Sequence, residues 1–266
     1  LSTVALIAAS GGLPAVFADE LCRRGHEIVA VGIVPAVDAR VRQAARCFEE
    51  ISPGRLQRAI DICNEHSATA AVFAGKFEKS VFCAGMEFDD RLKQVLSRVK
   101  GGGDNLLLCA VAEEFESEGI EIISQLELGQ RILAQKGAIT DRSPSSDQMR
   151  DVFFGLDVLR DIGHLDVGQS VIVKRGVVVA IEAVEGTDQA VLRGGTLAGG
   201  GAVVVKACKP DQDLRFDVPT VGKNTIACMN ASGCGVLAVE AGSAFIVDKD
   251  ETVQLADRHG ICIVGV

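Results

Sequence analysis

Between Val203 and Gly222 the chain changes from grease to chemistry. An apolar, β-branched run, Val203-Val204-Val205, reads as a buried strand. Lys206, Lys209, Asp211, Gln212, Asp213, Arg215 and Asp217 follow it, with Pro210 and Pro219 keeping the segment from becoming an ordinary helix. Cations so placed can hold phosphate oxygens, and carboxylates can hold Mg²⁺ or steer a water. A solvated surface loop would have the same charge content, although loops carry function more often than scaffolds do. Four smaller groups could join it. Ser10-Gly11-Gly12-Leu13-Pro14 offers helix N-terminal amides to an anion, or is a plain strand-to-helix turn. Lys76 follows an apolar run and Gly75, as a phosphate contact or an exposed lysine. In Glu185-Gly186-Thr187-Asp188, Gly186 permits close backbone approach and Thr187 supplies a hydroxyl; Asp188 is also placed to cap the next helix. Glu240 closes the apolar run from Gly235 to Val239, either as solvation of a ladder edge or as a site group.

Other chemistries lack their residues. There is no HExxH or His-x-His pattern and no GxSxG elbow, and none of the nine cysteines lies in a CxxC pair or an evident nucleophile motif. The glycine turn is not GxGxxG, and the second strand ends in Ile33-Val34-Pro35 without an acidic residue, which disfavours NAD. His26, His66 and His259 flank glycines or helix ends, where capping is expected. Carboxylates and lysines without histidine ligands fit Mg²⁺-assisted attack of water on a phosphoryl group.

The net charge of −9 argues against sequence-independent nucleic-acid binding but leaves room for a local cationic site. Tyr and Trp are absent, so neither can stack on a base. A hydrophobic fraction of 48% over 266 residues is ample for two modest domains, and no apolar run is long enough to span a bilayer. The opening, Leu1 to Ala9, lacks a basic flank and runs into the glycine turn, so it reads as a first strand and not as a signal peptide; the missing Met fits a trimmed or processed start. Cys22, Cys47, Cys63, Cys109 and Cys228 fall in helix-like stretches, as small hydrophobes in a reducing cytoplasm.

The elements that must position these groups alternate. Strands are expected at Val4–Ala9, Glu27–Val34, Ala70–Ala74 and Ile120–Ser124. Helices are expected at Leu13–Arg24, Pro53–Asn64, Asp89–Val99 and Asn105–Ser117, the last capped by Asp104. This is a Rossmann-like, parallel-sheet α/β domain over residues 1–130. A polar linker is placed at 131–147. A second α/β, mixed-sheet domain follows over 148–266, beginning with a helix from Gln148 to Ile162. It continues with a hairpin around Lys174-Arg175-Gly176, a helix at Gln189–Leu192, the strand Val203–Ala207 and a helix at Asn224–Ala231. A second hairpin is expected around Ala241-Gly242, then a helix from Lys249 to Arg258 and a last strand, Ile261–Val266.

Lys206-x-x-Lys209-Pro210-x-Gln212-Asp213-x-Arg215-x-Asp217-x-Pro219-Thr220-x-Gly222 resembles the signature of the LpxI-type UDP-2,3-diacylglucosamine pyrophosphatases of lipid A synthesis. Further matches lie in order along the chain: Ser10 to Pro14, Ala74-Gly75-Lys76, Leu165-Asp166-Val167-Gly168-Gln169, Glu185 to Asp188 and Ala238 to Gly242. Glu78 and Lys79 depart from a more basic loop in the family. The resemblance implies hydrolysis of the pyrophosphate of UDP-2,3-diacylglucosamine to UMP and lipid X, and the carboxylates that crowd the central loop without histidines add the expectation that Mg²⁺ or Mn²⁺ is needed. Asp217 would be the essential carboxylate and metal ligand, with Asp213 the competing candidate. Gly11, Gly12, Leu13, Lys76, Glu185, Gly186, Thr187, Asp188, Lys206, Lys209, Gln212, Pro219, Thr220 and Glu240 would contact substrate, those of the first domain facing those of the second. Phe216 and Val218 are expected to anchor an extended backbone around Asp217. The expected partners are the acylated nucleotide sugar and its product, the inner-membrane surface as a peripheral contact, and a second copy in a homodimer. A non-catalytic nucleotide-sugar sensor and an NAD-dependent oxidoreductase are the alternatives.

Overall fold

The computed structural model describes residues 2–33, 37–76, 87–99, 104–165, 167–210 and 212–266. Val34, Pro35, Glu78, Lys79, Gly101 to Gly103, Asp166 and Asp211 lie outside the described residues. The chain divides into two compact units, one of Leu1–Gln130 with Asp213–Asp217, the other of Arg131–Gln212 with Val218–Val266.

In the first unit, β1 (Thr3–Ala8), β2 (Glu27–Ile33), β3 (Cys47–Ile51), β4 (Ala70–Ala74) and β5 (Glu121–Ile122) form one parallel sheet in the order β3-β2-β1-β4-β5. The helices are α1 (Leu13–Arg23), α2 (Ala39–Ala44), α3 (Leu56–Glu65), α4 (Asp90–Arg98), α5 (Asp104–Ser117) and α6 (Gln125–Leu128). β1 is apolar and buried from Val4 to Ala8 because a central parallel strand is covered on both faces. Pro14 sits in the first turn of α1, where its missing N–H costs nothing, and Gly25, at φ 81°, follows its end. Ala5, Ile7, Val29, Ile60, Phe73 and Phe115 share one core, and Phe216 joins it, its ring edge-on to Phe73 at 6.3 Å. The strand order reverses between β1 and β4, and in open α/β sheets ligands bind outside the strand ends at such a point.

Three readings of this half need correction. α2 and β3 were not expected: β3 is a half-buried edge strand, and Cys47 lies on it and not on a helix. α5 begins at Asp104, one residue before the expected start. The fourth expected strand is only two residues long.

In the second unit, β6 (Gly137–Ala138), β7 (Ser170–Lys174), β8 (Val177–Ile181), β9 (Val203–Lys206), β11 (Val236–Val239) and β13 (Cys262–Gly265) form a mixed sheet in the order β6-β13-β11-β9-β7-β8. Successive residues of β9 face opposite layers. Val203 and Val205 meet Val152 and Leu159 of α7 (Ser146–Gly163). Val204 meets Ala190 and Val191 of α8 (Thr187–Ala198), Ile226 and Met229 of α9 (Lys223–Ser232), and Ala256 of α10 (Lys249–Arg258). A capping box of Ser145 and Gln148 starts α7 two residues before the expected helix, and β6 lies inside the stretch read as linker. The hairpin at Arg175 is present, its turn held by Asp151, whose carboxylate accepts from the Arg175 and Gly176 amides at 2.8 and 2.7 Å.

The second expected hairpin does not form. β11 pairs in parallel with β9 and β13, while β12 (Phe245–Ile246) pairs in parallel with β10 (Thr220–Val221) in a separate two-stranded sheet. Two apolar runs either side of a glycine pattern like a hairpin, but their hydrogen-bonding partners here are remote in sequence.

Candidate active site

In the first unit, two of the separate sequence groups come together at the reversal of strand order. The Lys76 amide donates to the Ser10 carbonyl at 2.8 Å, and the Ser10 hydroxyl donates to the Lys76 carbonyl at 2.7 Å. Gly75 makes this possible. At φ 97°, a Cβ there would stand 2.7 Å from both the Ala9 carbonyl carbon and the Ser10 oxygen. Gly11, at φ 100°, is exposed just before α1, and Gly12 is its N-cap with no side chain closing the helix end. Leu13 is the first helical residue and is buried, so its side chain packs in the core while its amide lies at the helix start. The Ser10–Lys76 bridge thus ties the exposed Lys76 to the turn that leads into α1, and a cation near a helix start would suit an oxyanion.

Asp213 and Asp217 form the first unit's share of the central loop. Their backbone is a turn and not extended: the Asp217 amide donates to the Asp213 carbonyl at 3.2 Å. Phe216 anchors this turn in the core, as an extended strand there would also have done. Asp213 accepts from the Arg215 amide at 2.9 Å and from its guanidinium Nε and Nη2 at 3.2 and 2.9 Å. Burial pushes the Asp213 carboxyl up, but these Arg215 hydrogen bonds outweigh it and hold the group below the usual carboxylate range. Asp213 is thus committed to shaping the loop and orienting Arg215, which also pairs with Glu116.

In the second unit, the C-terminal ends of β8 and β9 gather a hydrogen-bonded set. The Lys206 ammonium donates to the Thr187 hydroxyl at 2.8 Å, and Thr187 donates to Oε1 of Glu182 at 2.9 Å. Lys206 is 5% exposed and Glu182 8%. Thr187 opens α8 after Gly186, whose φ of 81° turns the chain into the helix with no side-chain cap. Asp188 does not cap this helix; it lies inside it and accepts from the Thr225 hydroxyl of α9 at 3.1 Å, which brings the starts of two helices together. Glu185 binds Arg193 at 2.5 Å, and that hydrogen bond holds its carboxyl below the usual range.

The remaining expected residues shape the neighbouring loops. Oε2 of Glu240 accepts from the Cys208 amide at 3.0 Å, fixing the chain as it leaves β9. The Lys209 amide donates to Oε1 of Gln212 at 2.9 Å, and Gln212 reaches Gln169 at 3.3 Å. The Pro219 carbonyl accepts from the Phe245 amide at 2.8 Å, and the Thr220 hydroxyl donates to the Val218 carbonyl at 2.9 Å, so both hold the β10–β12 pair. Glu182, Ser170 and Thr225 were missed. Glu182 directly follows the apolar run Val177–Ile181, and nothing local sets it apart from a solvated strand end.

A parallel-sheet α/β unit and a mixed-sheet α/β unit together make this a two-unit α/β protein. The LpxI N-terminal domain family matches residues 3–132 and the LpxI C-terminal domain family residues 135–264. UDP-2,3-diacylglucosamine pyrophosphatase LpxI of Caulobacter vibrioides is 31% identical over 98% of this chain and 96% of its own length. The chain belongs to the LpxI family. Two solved structures, N5-carboxyaminoimidazole ribonucleotide synthetase from Thermotoga maritima and N5-carboxyaminoimidazole synthetase from Staphylococcus aureus, align at 12% and 14% identity. They match 68% of this chain but 41% of theirs, with TM-scores of 0.25 and 0.26, which carry no argument about fold or function.

Proposed function

We propose that this protein hydrolyses the pyrophosphate bond of UDP-2,3-diacylglucosamine, releasing UMP and 2,3-diacylglucosamine 1-phosphate. The observation that carries the reading is the full-length match to a relative bearing that name, at 31% identity with both family domains in order. The site chemistry agrees with it. Lys76 and Lys206 stand beside the starts of α1 and α8, where backbone amides and ammonium groups together neutralise phosphate oxygens. Val184, 81% exposed and next to Glu185, offers apolar surface close to the polar cluster, as an acylated sugar requires. A substrate with acyl chains resides in a bilayer, so the reading includes a peripheral contact with the inner membrane, and a homodimer is part of it.

Mg²⁺ or Mn²⁺ belongs to the proposal. Among the described residues no three His, Cys, Asp or Glu side chains gather as a cation cage. That donor set still suits Mg²⁺, which commonly takes one or two carboxylates and fills its shell with water and substrate phosphates. Asp217 is the proposed protein ligand, since both oxygens of Asp213 are engaged by Arg215. Bound there, the ion would neutralise phosphate charge. The test is UMP release from UDP-2,3-diacylglucosamine by the purified chain, before and after chelation and on returning Mg²⁺. Turnover that stops on chelation and returns with the metal is expected. No UMP release from the metal-supplied protein would overturn the reading, and full activity after exhaustive chelation would overturn its metal part.

A further inference from the structure

Glu182 stands in none of the motifs that mark the family resemblance, yet the fold builds a socket for it. Its amide donates to the Ser170 carbonyl at 2.9 Å. Gly168 leaves room for it on the other side: a Cβ at that position would lie 2.8 Å from the Glu182 carbonyl carbon. One carboxylate oxygen accepts from Thr187, while the other is buried with no hydrogen-bond partner among the described residues, as is the Ser170 hydroxyl. A buried carboxylate is costly unless its charge is answered. The answering charge is Lys206, reached through one hydroxyl.

The direction of this chain of bonds is fixed by chemistry. An ammonium can only donate, and a threonine hydroxyl has one proton. Thr187 therefore accepts from Lys206 and must give its own proton to Glu182. The bond that the ammonium donates is of the strong, charge-assisted kind. Without Glu182, Thr187 loses the acceptor that turns its own lone pairs toward Lys206.

We propose that Glu182 is a positioning residue. Acting through Thr187, it holds the Lys206 ammonium in place at the N-terminus of α8, ready for phosphate. This rests on the hydrolase reading above, and deepens it. Glu182 touches no substrate atom in this role.

The test uses the full chain and the variants Glu182→Gln, Thr187→Val, Thr187→Ser and the double Glu182→Gln/Thr187→Val. With UDP-2,3-diacylglucosamine, Glu182→Gln and Thr187→Val should each lose about tenfold or more in kcat, with melting temperatures near wild type. Thr187→Ser, which keeps the hydroxyl, should retain most activity. The double variant should be about as impaired as either single one, because residues acting as a unit are non-additive. A second arm needs no turnover: the side-chain ¹⁵N resonance of Lys206, followed by NMR. A buried, hydrogen-bonded ammonium exchanges its protons slowly, so its signal should be visible in wild type and lost in Glu182→Gln and Thr187→Val. An unchanged Lys206 signal in both variants overturns the inference, and so do losses in kcat that multiply in the double variant. A wild-type protein that releases no UMP overturns the hydrolase reading alone, and the Lys206 signal then decides this inference by itself.

Discussion

Replacing Gly195 by alanine should damage catalysis more than it damages the fold. Gly195 lies in α8, eight residues beyond Thr187, where the helix rests on α9. A Cβ there would lie 2.6 Å from the Ser232 Cβ and 2.7 Å from its backbone oxygen. Ordinary van der Waals contact for a Cβ begins near 3.4 Å, so the helices must separate by about 0.7 Å, the difference between 3.4 and 2.7. The obstacle is a helix backbone and cannot rotate away. Overpacking of this kind costs about 1–3 kcal/mol. Alanine returns about 1 kcal/mol, being the better helix former. A net loss of about 1 kcal/mol remains, or about 3 °C in melting temperature for a unit of this size. The same displacement carries through a rigid helix to Thr187. A bond of 2.8 Å to Lys206, lengthened by about 0.7 Å, falls outside hydrogen-bonding range. Misplacement near 1 Å costs up to about a hundredfold in rate. Thermal melting and UMP release, measured side by side, check both numbers, with Leu197→Ala on the exposed side of the same helix as the control. A Gly195→Ala protein that melts higher than wild type and keeps its turnover would refute the packing argument.

Asp217→Ala should lower kcat by about a hundredfold or more while sparing the melting temperature; near-normal turnover with a lowered melting temperature would move the essential role to Asp213. Glu20, buried on α1, has its carboxyl drawn from an ordinary 4.5 to about 2, first by the Arg23 hydrogen bond, with Arg24 adding to it against the effect of burial. Because the folded value is the lower one, its contribution is complete above about pH 4.5 and is lost as pH falls toward 2. Its ceiling of about 3 kcal/mol drops to about 1–2 because Arg23 is largely solvated. Denaturant unfolding from pH 6 to pH 3 should therefore fall more steeply for wild type than for Glu20→Gln, and parallel curves would discount the pair. Burial pushes the Cys63 thiol up to about 12. Iodoacetamide at pH 8 should therefore leave Cys63 untouched in the folded protein while alkylating the exposed Cys22, as read by peptide mass spectrometry. Equal labelling of the two would show that α3 opens.

What the sequence made legible was whatever local chemistry decides. Pro14 in a first turn, Gly25 and Gly233 past helix ends, and His259 before Gly260 mark boundaries because backbone geometry admits few residues there. β1 and β9 stand out because a strand covered on both faces presents an unbroken apolar run, Val4 to Ala8 and Val203 to Val205. β3 was hidden for the opposite reason. Its Cys-Phe-Glu-Glu-Ile lies at a sheet edge, and its acids are answered by Arg58 and Arg42 from elsewhere in the chain. Strand partners were hidden too, since β11 resembles half of a hairpin until β9 and β13 are seen on either side of it. The site divides along the same line. Lys206 and Thr187 were visible as types, each near a predicted element end. Glu182 was not, because a carboxylate after an apolar run has no local meaning. It acquires one only when the Gly186 turn folds α8 back over β8 and sets the Thr187 hydroxyl between that carboxylate and an ammonium from β9. A residue whose role is to act through another is defined by its neighbour in space, and the β7–β8–α8 connection is what supplies the neighbour.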